Sequence, residues 1–228
     1  PITERDMANA LGGTLDGMLA EYCVLPEGGL VTMPAHMSFE EASTLPCSPV
    51  TAWHSLVEVG GVKPGDTVLL LGTGGVSIVA LQFVKMLGAR AIITSSSEEK
   101  LARAQELGAW QTVNYRETPE WQDAVLELTG GRGVDHTVEV GGAGTIARSV
   151  DATRVGGSIG LIGVLTGGNF NPTSIMRKSI RLQGIYVGSR RMFEDMNRAM
   201  EQHEIKPVID RVYEMEDARD AYHAMRAA

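Results

Sequence analysis

The sequence predicts an α/β fold, a doubly wound parallel sheet of six strands in the order 3-2-1-4-5-6, with a smaller portion of chain ahead of it. Two observations carry this. From residue 63 onward, short apolar runs suited to strands buried on both faces alternate with segments of helical spacing. The first such run, Val68 to Leu71, is closed by Gly72-Thr-Gly-Gly-Val-Ser77, after which apolar residues recur at 76, 79, 80, 83, 84 and 87. Strand, glycine turn and helix in that order are the context in which a glycine pattern signals dinucleotide binding. Gly72 permits the tight turn, Gly74 lets backbone approach a pyrophosphate, and the helix start at Gly75-Val76 offers free N–H groups and a positive dipole end. The third glycine of the pattern is replaced by Ser77, small enough for close helix–strand packing.

In chain order, residues 1–18 show no period and read as loop. Ala20 to Pro26 alternates as a strand would, with Cys23 in its core, and Val31 to Pro34 is a short extended piece. Ser38 with Glu41 has capping-box spacing and opens a helix through Leu45. A second helix spans 49–59, and Gly60-Gly61 then turns into the first strand. The alternation continues with strands at 90–94, 111–114, 134–140, 158–164 and 180–187 and helices at 98–107, 120–128 and 193–203. Met86-Leu-Gly-Ala and Glu106-Leu-Gly-Ala end successive helices alike, with Gly88 and Gly108 as C-caps. Gly141 to Val150 opens the fourth crossover, and Lys206 to Tyr213 with a last helix leads away from the sheet.

Composition narrows the function. The 228 residues are 43% hydrophobic and 21% charged, as in an ordinary globular protein. A formal charge of −8 argues against nucleic acid or an anionic membrane surface as partner. Cys23 and Cys47 do not make a disulfide framework, so a reducing cytoplasm is the expected location, and no stretch reads as a transmembrane span.

Gly72-Thr-Gly-Gly-Val76, the upstream Thr51-Ala52-Trp53 and the downstream Gly133-Val134-Asp135 resemble the medium-chain dehydrogenase/reductase superfamily, in its zinc-type alcohol dehydrogenase and quinone reductase branch. The likeness runs from Leu11-Gly12-Gly13 to the last helix. It implies a Rossmann dinucleotide-binding domain over residues 49–205, the trailing part of a GroES-like substrate domain over 1–48, and a return to that domain over 206–228. Pro1 in place of Met, and a final helix running to Ala228 without a glycine cap, make the chain read as a piece of a longer protein.

The resemblance also implies site residues. Thr51 would lie beside the nicotinamide carboxamide, and Val140, Gly163, Val164, Val187 and Ser189 would face the nicotinamide ring. For Gly141, Gly163 and Gly188, ordinary strand-to-helix turning is the competing reading. Cys47 stands where zinc-dependent members place a third ligand of a catalytic metal, which makes zinc a candidate in the full-length parent; a buried, packing cysteine is the alternative. The resemblance implies that most of the other catalytic groups belong to a part of the family sequence ahead of this chain. His54 reads as a helix-surface or interdomain histidine rather than a proton relay, and His136 as structural. Trp53, Trp110 and Trp121 read as packing residues, and Met176, Met192, Met196, Met200 and Met215 as core filling rather than a metal site.

NADP(H) is expected over NAD(H). The acid that reads the NAD ribose is due about twenty residues after the glycine turn, but Ser95, Ser96 and Ser97 stand there, followed by Glu98-Glu99-Lys100. Hydroxyls can donate to a 2′-phosphate that a carboxylate would repel, and Lys100 can reach it as a point charge. Tyr115 resembles the quinone-reductase tyrosine beside the same phosphate. Against this, the serines can simply cap a helix, and Glu98 or Glu99 can take the ribose. The expected activity is hydride transfer between NADP(H) and an alcohol or carbonyl, quinone or enone; the alternative is a dinucleotide-binding protein without turnover, a redox sensor or structural homologue. A homodimer through the sixth-strand edge is expected.

Overall fold

A computed structural model describes residues 3, 4, 8–164 and 166–227, so readings that fall on Pro1 and Ala228 lie outside it. Strands β1 (Thr67–Leu70), β2 (Arg90–Ser95), β3 (Gln111–Asn114), β4 (Val134–Glu139), β5 (Thr153–Leu161) and β6 (Arg181–Gly184) form one parallel sheet in the order β3-β2-β1-β4-β5-β6. The fold is the doubly wound one that the alternating pattern calls for.

Side chains alternate across each strand, so β1 feeds both faces of the sheet. Val68 and Leu70 pack with Val79, Ala80, Phe83 and Val84 of the helix Gly75–Met86, whereas Leu69 and Leu71 pack with Val113, Trp121 and Val125 on the other side. The first face is closed by two further elements. One is the helix Ser48–Trp53, continued by a π-helical turn over His54–Val59; the other is the long helix Arg190–Gln202, which buries Met196 and Met200. Trp53 meets Phe83 edge to face, with ring centroids 5.6 Å apart.

Central β4 is buried throughout yet carries Asp135, His136, Thr137 and Glu139, and each has partners. Asp135 accepts from the Thr67 N–H and from Arg132 and Arg154, closing the amino end of the sheet. His136 lies between the Ser55 and Ser158 hydroxyls at 3.0 and 2.8 Å, and the Thr137 hydroxyl meets that of Thr153. Buried polar groups satisfied in this way specify one strand register rather than weaken the core.

Departures from the sequence pattern have local causes. Residues 20–26 form no strand: among the described residues no segment pairs with them, and Tyr22, Cys23 and Val24 are exposed. Strand β5 starts five residues early, because Gly156 (φ +70°) and Gly157 let it bulge instead of breaking; Val134 pairs with Thr153 while His136 pairs with Ser158. It stops at Leu161 because the N–H groups of Ile162 and Gly163 both turn to the Glu139 carbonyl. Strand β6 ends at Gly184, short of the expected Val187, which has φ +50°. Met176 and Met215 are exposed rather than core, since each lies on a short turn-like helix with no buried face. Trp110 is part-exposed, with the Arg90 guanidinium 4.4 Å above its ring.

Candidate cofactor-binding site

In an open parallel sheet the ligand crevice lies outside the carboxyl ends of the strands, at the point where strand order reverses. Here that point falls between β1 and β4. The helices can now be numbered α1 (Phe39–Ser43), α2 (Ser48–Trp53), α3 (Gly75–Met86), α4 (Glu98–Glu106), α5 (Trp121–Leu128), α6 (Ile146–Ala152), α7 (Thr173–Lys178), α8 (Arg190–Gln202) and α9 (Ala218–Ala227).

After β1, Gly72 has φ +69° and its N–H donates to the Thr94 hydroxyl at 3.1 Å, tying the turn to β2. Gly74 is the N-cap of α3, and the first intrahelical bond runs from Ile78 N–H to its carbonyl. The N–H groups of Gly75, Val76 and Ser77 therefore precede the helical ladder. A Cβ on Gly72 or Gly74 would meet nothing within 4 Å, so open space lies over this turn. Ser77 does more than fit: its hydroxyl donates to the Leu71 carbonyl at 2.6 Å and pins α3 to the end of β1.

The β4 and β5 ends are fastened by Glu139. Its buried carboxylate accepts from the N–H groups of Gly141 (2.7 Å) and Gly142 (3.0 Å), from the Thr145 hydroxyl (2.6 Å) and from the Ser149 hydroxyl. Val140 is half-buried beside it, and Gly163 crosses so closely that a Cβ there would lie 2.4 Å from Gly142 N and the Val140 carbonyl carbon. Thr166 adds a further clasp, donating to the Gly141 carbonyl and accepting from the Gly144 N–H. Val164 projects outward, 90% exposed. None of the Glu139, Thr145 and Thr166 contacts was read from the sequence; a carboxylate closing an apolar strand was the available signal.

Helix α2 runs along the same crevice. Ser48 abuts Gly75, where a Cβ would lie 3.2 Å from its hydroxyl, and Val50 abuts Gly188, where the gap would be 2.5 Å. Thr51 is buried and donates to the Cys47 carbonyl at 2.7 Å. The Ser189 hydroxyl caps α8 by accepting from Met192 N–H.

At the β2 and β3 ends, the Ser95 hydroxyl lies 3.2 Å from that of Thr73, and Tyr115 N–H donates to the Ser95 carbonyl. Ser96 is half-buried, and Lys100 and Tyr115 are exposed. Glu98 accepts from the Asn114 amide, whereas the Ser97 hydroxyl caps α4 by accepting from Lys100 N–H. The fourteen candidate residues thus all lie at or after strand ends or sit on α2, α3 or α4.

The family model described as zinc-binding dehydrogenase matches residues 75–202, more than half of the chain. This chain belongs to that family. A zinc-type alcohol dehydrogenase-like protein of Schizosaccharomyces pombe is 44% identical over 96% of the chain, which covers 66% of that relative. Among solved structures, an alcohol dehydrogenase candidate from Sinorhizobium meliloti 1021 superposes with a TM-score of 0.93 at 43% identity, over 100% of this chain and 67% of that one. An NAD-dependent alcohol dehydrogenase superposes at 0.89 with 36% identity, over 99% of this chain and 69% of that one. The chain spans about two thirds of the length of these dehydrogenases.

Despite the family's name, the described residues do not fit a complete zinc site. Cys47 is exposed at the N-cap of α2, and no group of three or more His, Cys, Asp or Glu among the described residues is placed to hold a metal. Catalytic zinc needs three protein ligands. No described helix is long and apolar enough to cross a membrane.

Proposed function

We propose that this chain is the cofactor-binding part of an oxidoreductase that transfers hydride between NADP(H) and an alcohol or carbonyl, quinone or enone. The observation that carries the reading is the open turn Gly72–Gly74 at the start of twelve-residue α3, with Gly72 at φ +69° and no atom filling the space above it. A pyrophosphate seated there would accept from the unpaired first-turn N–H groups. The bound dinucleotide supplies the redox chemistry; the residues of this chain bind and orient it. Val140, Gly163, Val164, Val187 and Ser189 follow the strand ends toward which its nicotinamide half would extend, and Thr51 lies on α2, which packs against Gly188 through Val50.

The preference for NADP(H) rests on small hydroxyls at Ser95 and Ser96, on exposed Lys100, and on Glu98 being held by Asn114. The last point weakens the claim of Glu98 on the ribose. A homodimer through exposed β6, in a reducing cytoplasm, completes the proposal. Titration of wild type and Lys100→Ala with NADPH and NADH tests it. NADPH should bind more tightly to wild type and lose about tenfold or more in the variant, as for a charge-assisted hydrogen bond, with NADH unchanged. Tighter NADH binding by wild type would defeat the cofactor choice. Absence of dinucleotide oxidation by the full-length protein with aldehydes, quinones and enones would favour a binding protein without turnover.

A further inference from the structure

The turn that follows β6 is held in a conformation its sequence does not favour. Val187 has φ +50°, in the left-handed region that a β-branched side chain rarely enters. Such outliers persist only where the surroundings over-determine them, and they cluster at ligand-binding sites. Here the constraint comes from the α2 side. His54, at the point where α2 passes into the π-helical turn, places Nδ1 2.8 Å from the Val187 carbonyl oxygen. A carbonyl only accepts, so Nδ1 carries the proton and donates. The next residue, Gly188, fits against Val50 with no room for a side chain, and Ser189 then caps α8. The π-helical turn has its own bond from Gly60 N–H to the Ser55 carbonyl at 2.8 Å, and a single such turn inside a helix is frequently a functional feature.

We infer that His54 is a positioning residue for the nicotinamide half of the cofactor: its Nδ1–H, by holding the Val187 carbonyl, fixes the strained turn 187–189 in the shape that receives the ring. The inference rests on the dinucleotide reading above and extends it to a residue outside the glycine turn. The same helix that carries buried Thr51 and presses Ser48 against Gly75 thereby sets the position of the β6 end relative to the β1 end. His54 need touch neither cofactor nor substrate for this.

The test compares two probes on the 228-residue chain. One is whichever of NADPH and NADH wild type binds more tightly; the other is the matching ADP-ribose, with or without the 2′-phosphate, which lacks nicotinamide. His54→Leu should weaken the dinucleotide about tenfold, the scale of one net hydrogen bond, and leave the ADP-ribose within about twofold. His54→Asn, whose amide N–H takes the place of Nδ1–H, should restore dinucleotide affinity; His54→Gln, whose amide reaches toward the place of Nε2 instead, should not. Equal loss for both probes, no loss for either, or equal affinities of the Asn and Gln variants would overturn the inference. Should the Leu variant fail to fold, the Asn and Gln pair decides alone. Wild type that binds ADP-ribose as tightly as the dinucleotide overturns this inference and leaves the glycine-turn site standing, whereas wild type that binds neither overturns both.

Discussion

His136, wholly buried between Ser55 and Ser158, has its pKa pushed down to about 3 from 6.5, first by burial and then by the charge of Arg181. The unfolded chain takes up this proton as pH falls below about 6.5 and the native chain does not, so stability declines with acid by about 1.4 kcal/mol per pH unit. Between pH 7 and pH 5 the loss from this residue is about 2 kcal/mol. Denaturant unfolding at both pH values should show it for wild type and not for His136→Gln. Asp135 titrates in a lower window. Burial alone would raise its pKa, but Arg132, the Thr67 N–H and Arg154 outweigh burial and hold the carboxyl well below the usual carboxylate range. Its contribution is complete above about pH 4 and is lost as pH falls further. Asp135→Asn should cost about 1.5–3 kcal/mol at pH 7, the scale of hydrogen bonds to a charged group, measured by the same unfolding curves. Neither role was legible beyond the plain reading of His136 as structural. The partners Ser55, Ser158 and Arg154 are far away in sequence, and only the fold brings them to β4.

Elements defined by period were legible, and those defined by tertiary partners were not. The runs that became β1 and β3 and the helix spacing of α3 lie within a residue or so of their observed bounds; for β1 the reason is that burial on both sheet faces imposes a continuous apolar run. The early start of β5 was hidden by Gly156-Gly157, which reads as a breaker and acts as a bulge. Residues 20–26 alternate like a strand, yet a strand exists only as part of a ladder, and none is available to them among the described residues. In the site, the glycine turn and the hydroxyls after β2 were visible as motifs, whereas the Glu139 clasp and the His54–Val187 bond depend on residues brought together by folding. The crossing of the β4 and β5 ends yields a test at this scale. Gly163→Ala would drive a methyl group into the Gly142 and Val140 backbone. The variant should lose about 3 kcal/mol of stability, the upper end for overpacking, with dinucleotide affinity falling alongside.

At the scale of the molecule, β6 leaves one edge of the sheet unpaired among the described residues, and most of its own residues are exposed. Light scattering at high micromolar concentration should give the mass of a dimer; a monomer would remove β6 as an interface. At the other end of the site, a pyrophosphate is to approach the backbone of the glycine turn. Gly74 makes this testable without disturbing the fold, because its φ of −79° suits any residue and a Cβ there meets nothing within 4 Å. The most direct measurement is NADPH binding to wild type and Gly74→Val, with thermal unfolding of both. The variant should lose NADPH binding, since the valine side chain would stand where the phosphates are to approach, while its unfolding temperature falls by only a few degrees, the cost of valine for glycine at an N-cap. Undiminished NADPH affinity in a folded Gly74→Val protein would contradict a pyrophosphate site at this turn.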